Sequence, residues 1–187
     1  MSAGSASPAR ESHRRGTVFV FLIVAGVLLT AAIPAFLAGK SGRRPPIVSV
    51  PESLPLPPGV SLDRLQAAQV DNVVDGDTLN VHVGKAIATV RYYGVDTPEA
   101  GQQCFREATD RNSMLAGKTV YLLPDARDQD NFGRILRYVF LPNGESLDAT
   151  LVAEGFGHAW TKDGRYLDQL AALEAQARAA HRGCLWK

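Results

Sequence analysis

The pattern of apolar and polar positions divides the chain into two unlike parts. Thr17–Ala38 is an uncharged, mostly apolar run of 22 residues. From Ala67 onward, short segments of alternating apolar and polar residues are separated by Gly, Pro, Asn and Asp, which is typical of strands and turns. The sequence therefore predicts one hydrophobic helix and, after a spacer, a folded domain.

Five strands are predicted in this domain. The turn signals Asp75-Gly76 and Gly84-Lys85 join the first three strands into a meander. Pro124 ends the fourth strand, and the polar segment 125–133 is interpreted as a loop before the fifth. The predicted strands are Ala67–Val74, Thr78–Val83, Ala86–Tyr93, Thr119–Leu123 and Ile135–Leu141.

Three helices are predicted between and after these strands, at Cys104–Leu115, Leu147–Glu154 and Asp168–His181. Ser146 is a suitable N-cap for the second helix. The third carries Leu170, Leu173 and Ala177 on one face. Five strands with three helices indicate a small β-barrel with helices packed on it, of the α+β class.

The apolar run is long enough to cross a bilayer, since about 20 helical residues span a hydrocarbon core of ~30 Å. The alternatives are a retained signal anchor and a cleaved signal peptide. The run exceeds the usual signal core and is not followed by a convincing cleavage site, so we expect an anchor. Arginines or lysines flank both sides, and the export-type segment favours a domain outside the cell, on a single-pass membrane protein, over a secreted one.

Proline-rich sequence follows the run and indicates an extended spacer. The predicted organisation is a disordered N-terminus (1–16), a transmembrane anchor (17–38), a linker (39–62) and a globular domain (63–187).

The charge of the globular part is slightly acidic. Although the whole chain has a formal net charge of +1, six of its 20 Lys and Arg and two of its 19 Asp and Glu precede Asp63. The remainder therefore carries 14 basic and 17 acidic residues, a net of −3. A polyanionic partner would need local arginines or a bound cation to offset these acids.

The groups best suited to chemistry lie in the segment from Asp75 to Glu99. Acids stand at Asp77, Asp96 and Glu99, and Arg91 lies among them. Asp77 begins one predicted strand and Arg91 lies in the next, so all of these groups could meet at one end of the barrel. Arg134 comes from the loop before the last strand.

From Ala67 to Trp186 the chain resembles the staphylococcal nuclease (thermonuclease) family. The motifs occur in order: Val-Asp-Gly-Asp-Thr at 74–78, Arg-x-x-Gly-Val-Asp-Thr-Pro-Glu at 91–99, Phe-Gly-Arg at 132–134 and Gly-x-Leu-Trp at 183–186. The resemblance implies an OB-fold, a five-stranded barrel with three helices. It also implies a calcium-dependent nuclease that hydrolyses phosphodiester bonds of DNA and RNA.

The resemblance also assigns roles. Asp77, Asp96 and the carbonyl of Thr97 are expected to ligate Ca²⁺, a hard cation that prefers oxygen ligands. Arg91 and Arg134 are expected to clamp the phosphate, and Glu99 to orient or deprotonate the attacking water. We expect a monomer without an obligate protein partner. The alternative function is a weak or inactive module that binds nucleic acid or a protein.

Several residues keep two interpretations. Cys104 and Cys184, the only cysteines, are either a disulfide or two thiols, and an exported domain favours the disulfide. Trp160 and Tyr166 either stack on a base or pack against the barrel. Asp75 is a turn residue or a support of the site. The acids at 125, 128 and 130 are interpreted as a solvated loop face, with a second metal site as the alternative.

Overall fold

The computed structural model describes residues 53–187. The run Thr17–Ala38, the residues before it and most of the predicted linker lie outside this range. Within residues 53–187 no helix is both long and apolar enough to cross a membrane.

The predicted meander is confirmed. Strands β1 (Gln66–Asp75), β2 (Thr78–Val83) and β3 (Ala86–Tyr92) pair antiparallel in chain order. Gly84 adopts φ +63° in the tight turn between β2 and β3, a conformation that glycine enters without steric cost. Alternate residues of β2 point into the barrel, where Leu79 and Val81 are fully buried.

Two further strands close the barrel, giving the five-stranded fold that the sequence predicts. After β4 (Val95–Asp96), strands β5 (Thr119–Gln129) and β6 (Ile135–Phe140) complete the order β1-β2-β3-β6-β5. β6 runs parallel to β3 and pairs Leu136 with Arg91. Because no strand of this barrel has an open edge, its interior is a continuous apolar core.

The prediction that Pro124 ends the fourth strand was wrong. β5 continues through Pro124, which pairs with Arg137, and its register with β6 shifts before Gln129. A proline has no N–H to donate to a regular ladder, and this irregularity is a place where the loss can be accommodated. Much of the polar segment 125–133 is therefore strand, and the loop itself is short.

The three predicted helices are present as α1 (Phe105–Leu115), α2 (Leu147–Ala153) and α3 (Leu167–Ala179). The Ser146 hydroxyl accepts a hydrogen bond from the Ala149 N–H, as expected of an N-cap. The predicted buried face of α3 is also confirmed. Two short strands were not predicted: β4 pairs with β7 (His158–Ala159) in a two-stranded sheet.

Two connections tie distant parts of the sequence to the barrel. Cys104, just before α1, is disulfide-bonded to Cys184 near the C-terminus, so the disulfide prediction is confirmed. At the other end of the described range, Leu54 is buried in the main core, and the carbonyl of Pro55 accepts a hydrogen bond from the Tyr166 hydroxyl. The last residues of the predicted linker therefore pack against the domain.

Candidate active site

A cleft of about 260 Å³ lies where β3, β4 and the β5–β6 loop meet. Four of the six candidate residues line it: Arg91, Asp96, Glu99 and Arg134. The other two, Asp77 and Thr97, are buried and contact one another. Three arginines and three acids line the cleft, so its walls carry no net charge. Its full lining comprises Arg91, Tyr92, Tyr93, Asp96, Glu99, Arg127, Asp130, Asn131, Phe132, Arg134, Leu136 and Trp160.

Asp77 lies immediately before β2 and is only 4% exposed. Its Oδ2 accepts hydrogen bonds from the backbone N–H of Thr97 at 2.6 Å and from the Thr97 hydroxyl at 2.7 Å. Its Oδ1 lies 3.0 Å from Nε of Arg91. The turn also holds the residue, since the Asp77 N–H donates to the Asp75 carboxylate. Asp75 is thus both a turn residue and a support for the site.

Burial and the polar contacts of Asp77 have opposite effects on its pKa. Burial raises its pKa to about 6, although the charge of Arg91 and the hydrogen bonds from Thr97 favour the ionised form. These contacts therefore only partly offset the cost of burying the charged form of Asp77.

Arg91 links the strand that carries it to the segment that follows. Its Nη1 donates to the carbonyls of Tyr92 and Val95, and its Nη2 donates to Oδ1 of Asp96. With Asp77 on Nε, the guanidinium contacts two carboxylates and two backbone oxygens. This arrangement fixes the bend between β3 and β4 and aligns both candidate ligand carboxylates on one arginine.

Arg134 reaches the cleft from the loop between β5 and β6. Its Nε donates to Oδ2 of Asp130 at 2.7 Å, and the Asp130 side chain is only 13% exposed. Its Nη1 also lies within 3.5 Å of the Thr78 hydroxyl, beside Asp77 in the chain. The two candidate phosphate-binding arginines therefore enter the same cleft from segments that are distant in sequence.

Glu99 is an exposed residue of the same cleft. Its backbone N–H donates to the side-chain oxygen of Gln102, which stabilises the turn leading to α1. Among residues 53–187 no ion pair or hydrogen bond involves its carboxylate. The group is thus open to solvent, as a carboxylate that contacts a water molecule must be.

The oxygen atoms of this region fit a hard cation such as Ca²⁺. Asp77 and Asp96 supply two carboxylates on either side of one guanidinium, and Thr97 contributes a backbone carbonyl. No group of three His, Cys, Asp or Glu side chains suited to a metal is present in the described part of the chain. Ca²⁺ takes six to eight oxygen ligands, so this set could hold it only if water or substrate oxygens completed the coordination.

Two acids that support the site were missed at the sequence level. Asp148, fully buried at the start of α2, accepts the backbone N–H of Gly94 at 2.8 Å and that of Val139 at 2.9 Å. It thereby anchors the bend that precedes β4. Nothing in the local sequence distinguishes it from an ordinary acid in the first turn of a helix.

Asp130 was interpreted as a solvated loop residue, and that interpretation was wrong. Its carboxylate pairs with Arg134 and accepts the backbone N–H groups of Phe132 and Arg134. Asp125 is likewise paired, with Arg165, and Asp128 pairs with Arg137 but is 70% exposed. An Asp before Asn-x-Gly, in a segment that must turn, was the available signal.

The two aromatic residues with open interpretations differ in the structure. Tyr166 is 4% exposed and packs edge-on against Tyr138, so it belongs to the core. Trp160 lines the cleft, and its Nε1 donates to Asp163. Asp163 also forms an ion pair with Arg127.

Comparison with known proteins agrees with this geometry. A family model described as "Staphylococcal nuclease homologue" matches residues 89–187, which includes Arg91, Asp96, Thr97, Glu99 and Arg134. Asp77 lies before the matched range.

Individual relatives are about one third identical to this chain over the regions that match. An endonuclease of Escherichia coli, itself described as uncharacterized, is 36% identical over 120 residues, covering 63% of this chain and 75% of its own. The thermonuclease of Staphylococcus hyicus is 31% identical over 129 residues, covering 64% and 76%.

The SPbeta prophage-derived endonuclease YokF of Bacillus subtilis (strain 168) is 32% identical over 121 residues, covering 59% of this chain. The match spans only 40% of the length of YokF. The family match covers more than half of this chain, and the fold and the clustered residues agree with it. The chain belongs to the staphylococcal nuclease family.

Proposed function

We propose that this protein is a calcium-dependent nuclease that hydrolyses phosphodiester bonds of DNA and RNA. Membership of the family, with relatives named as endonucleases, supports nuclease activity at the family level. The observation that carries the proposal for this chain is the convergence of Arg91, Arg134, Asp96 and Glu99 on one cleft.

Each residue has a proposed task. Asp77, Asp96 and the Thr97 carbonyl would hold Ca²⁺, which when bound neutralises the phosphate and stabilises the charge that develops on it. Arg91 and Arg134 donate N–H groups to the phosphate oxygens, and such bidentate pairs are strong. Glu99 orients or deprotonates the attacking water.

The proposed tasks require rearrangement of existing ion pairs. A phosphate that binds Nη2 of Arg91 competes with Asp96, and one that binds Nε of Arg134 competes with Asp130. These pairs keep both guanidinium groups oriented toward the cleft in the absence of substrate. The same pairs favour the second candidate function, a module that binds its partner without hydrolysis, because both arginines are already neutralised by carboxylates.

One experiment separates the two functions. The full chain, purified in detergent, is incubated with a single-stranded oligonucleotide in the presence of Ca²⁺ or of a chelator. We expect cleavage with Ca²⁺ only, and cleavage that is about a hundredfold or more slower by the Arg134→Ala variant. A folded protein that binds the oligonucleotide in Ca²⁺ and leaves it intact would support the binding module instead.

We further propose that Thr17–Ala38 anchors the protein in the cell membrane as a single pass, with the nuclease domain outside. The 22-residue uncharged run motivates this assignment. Membrane fractionation of producing cells, followed by protease treatment of intact cells, tests it. Recovery of a shortened chain in the medium would favour secretion after cleavage, and protection of the domain from protease would contradict the outside location.

A further inference from the structure

Phe132 is the most exposed large apolar side chain in residues 53–187. It is 86% exposed, ahead of Met114 at 76%, and lies at the tip of the loop between β5 and β6. Unlike Met114, it lines the cleft that contains the candidate catalytic residues. An aromatic ring in water at the rim of a binding site offers apolar area that a ligand can cover.

The loop that carries Phe132 is held in place by Asp130. The Asp130 carboxylate accepts the backbone N–H groups of Phe132 and Arg134, and it also accepts Nε of Arg134. The backbone closes the turn with two more bonds, from the Gly133 N–H to the Asp130 carbonyl and from the Asp130 N–H to the Arg134 carbonyl. The partly buried carboxylate of Asp130 therefore sets the positions of both the aromatic residue and the arginine.

The ring and the guanidinium form a pair with a fixed spacing. Cζ of Arg134 lies 5.6 Å from the centroid of the Phe132 ring. A ligand that covers both groups must carry an anionic part beside a flat apolar part. A nucleotide has this combination, since its phosphate and its base are joined through one sugar. The Phe132 side chain has no hydroxyl or amide to donate, so what it offers a base is the apolar surface of its ring.

We propose that Phe132 is a stacking platform for one unpaired nucleobase of the substrate, next to the phosphate bound by Arg134. This inference rests on the proposed nuclease function. Stacking on an aromatic side chain suits any base, because each base has a π face. Phe132 thereby fixes the substrate strand relative to Arg134, and its loop supplies a base contact in addition to a phosphate contact.

The test is a set of single-stranded oligonucleotides, each with an abasic site at a different distance from the cut. For the wild-type full chain we expect kcat/KM to fall about tenfold when the abasic site occupies the stacked position. Phe132→Ala should lose about as much on the intact oligonucleotide, and the abasic site should then cost nothing further. Phe132→Trp should restore the sensitivity to the abasic site, and Met114→Ala, an equally exposed apolar residue outside the cleft, should behave as wild type.

A Phe132→Ala variant that keeps wild-type kcat/KM, or a wild type that is impaired equally by abasic sites at every position, would overturn the proposal. The same oligonucleotides are also used in binding measurements by fluorescence anisotropy in Ca²⁺. If the wild type binds the oligonucleotides without cleaving them, the proposed nuclease function is wrong. The stacking contact can still be measured in that case, as a loss of affinity when the abasic site is at one particular position. If the abasic site and Phe132→Ala weaken binding independently, the stacking proposal fails although the protein is a nuclease.

Discussion

Thr97 donates two hydrogen bonds to the same oxygen of Asp77, one from its backbone N–H and one from its hydroxyl. The acceptor is a buried carboxylate, and the two residues flank the β2–β3 hairpin in sequence at its open end. The pair therefore joins the start of β2 to the segment after β4. The N–H and the hydroxyl of Thr97 are thus both bonded to Asp77. The remaining polar atom of Thr97, its carbonyl oxygen, is the one proposed to bind Ca²⁺.

Thr97→Val should destabilise the protein and weaken its response to Ca²⁺. The change keeps the side-chain shape but removes one donor to a buried carboxylate, which costs about 1.5–3 kcal/mol of unfolding free energy. Urea unfolding at pH 8 with chelator measures the first effect, and Ca²⁺-dependent stabilisation measures the second. Thr97→Ser keeps the hydroxyl, so a greater loss in Thr97→Ser than in Thr97→Val would contradict the assignment.

Arg134→Ala should reduce kcat/KM about a hundredfold or more and leave the fold intact. The guanidinium is proposed to stabilise charge on the phosphate, and loss of one such donor has this size of effect. Its ion pair is partly exposed, so we expect a stability change of about 1 kcal/mol or less. Arg178→Ala removes a 64% exposed arginine of α3 that is outside the cleft, and it should retain full activity. Equal activities of the two variants would refute the role of Arg134.

Asp148 should make stability fall as the pH rises from about 4 to 7. Burial raises its pKa to about 7 in the folded state, from an ordinary value of 3.8. Between these values the folded state binds more protons than the unfolded state, so its contribution to stability is fully present below pH 4 and is lost as the pH passes 7. The slope from this one group approaches about 1.4 kcal/mol per pH unit.

The comparison variant is Asp148→Asn, which does not titrate. Chemical unfolding of both proteins in chelator at several pH values between 4 and 8 gives the difference in slope. The variant should also be less stable at low pH, because one amide oxygen replaces the two carboxyl oxygens that accept N–H groups from Gly94 and Val139. Parallel pH profiles would show that Asp148 titrates normally.

Loss of the disulfide should lower stability by about 4–5 kcal/mol. Cys104 and Cys184 are separated by 80 residues, and in the loop-entropy account a bond across such a distance restricts the unfolded chain by about this amount. The measurement is the urea midpoint of wild type and of the Cys104→Ser, Cys184→Ser double variant, each with and without reductant. Reductant should lower the midpoint of the wild type only, and an unchanged wild-type midpoint would argue that the bond contributes nothing.

Most of the fold could be predicted because its elements carry strong local signals. The β2 strand alternates cleanly, two glycine-containing turns flank it, and Ser146 caps its helix. The two-residue strands β4 and β7 could not be predicted, since two residues have no periodicity and pair only through the tertiary structure. The path of β5 through Pro124 was missed for a related reason: the tolerance for proline comes from the β6 partner and its irregular register.

The residues of the candidate site could be identified from the sequence, but the residues that support them could not. Motifs around Asp77, Arg91, Asp96 and Arg134 single out the candidate groups, and the structure brings those residues together. Asp148 accepts hydrogen bonds from backbone N–H groups of Gly94 and Val139, which are distant in sequence. Asp130 accepts backbone N–H groups that reach it only when its loop adopts a particular turn. Their burial and their partners exist only in the folded chain, so their sequence positions resemble ordinary surface acids.

The parallel pairing of β3 with β6 brings together the two arginines of the candidate site, which are distant in sequence. It aligns Arg91 with Leu136 across a wide gap in sequence and thereby places Arg134, two residues before Leu136, at the same cleft. Non-local pairings of this kind carry a larger cost in loop-closure entropy than hairpins do. A nascent chain that ends after α1 carries the acids and Arg91 but lacks Arg134. The proposed nuclease therefore cannot have both arginines at its site until the chain has been synthesised beyond β6.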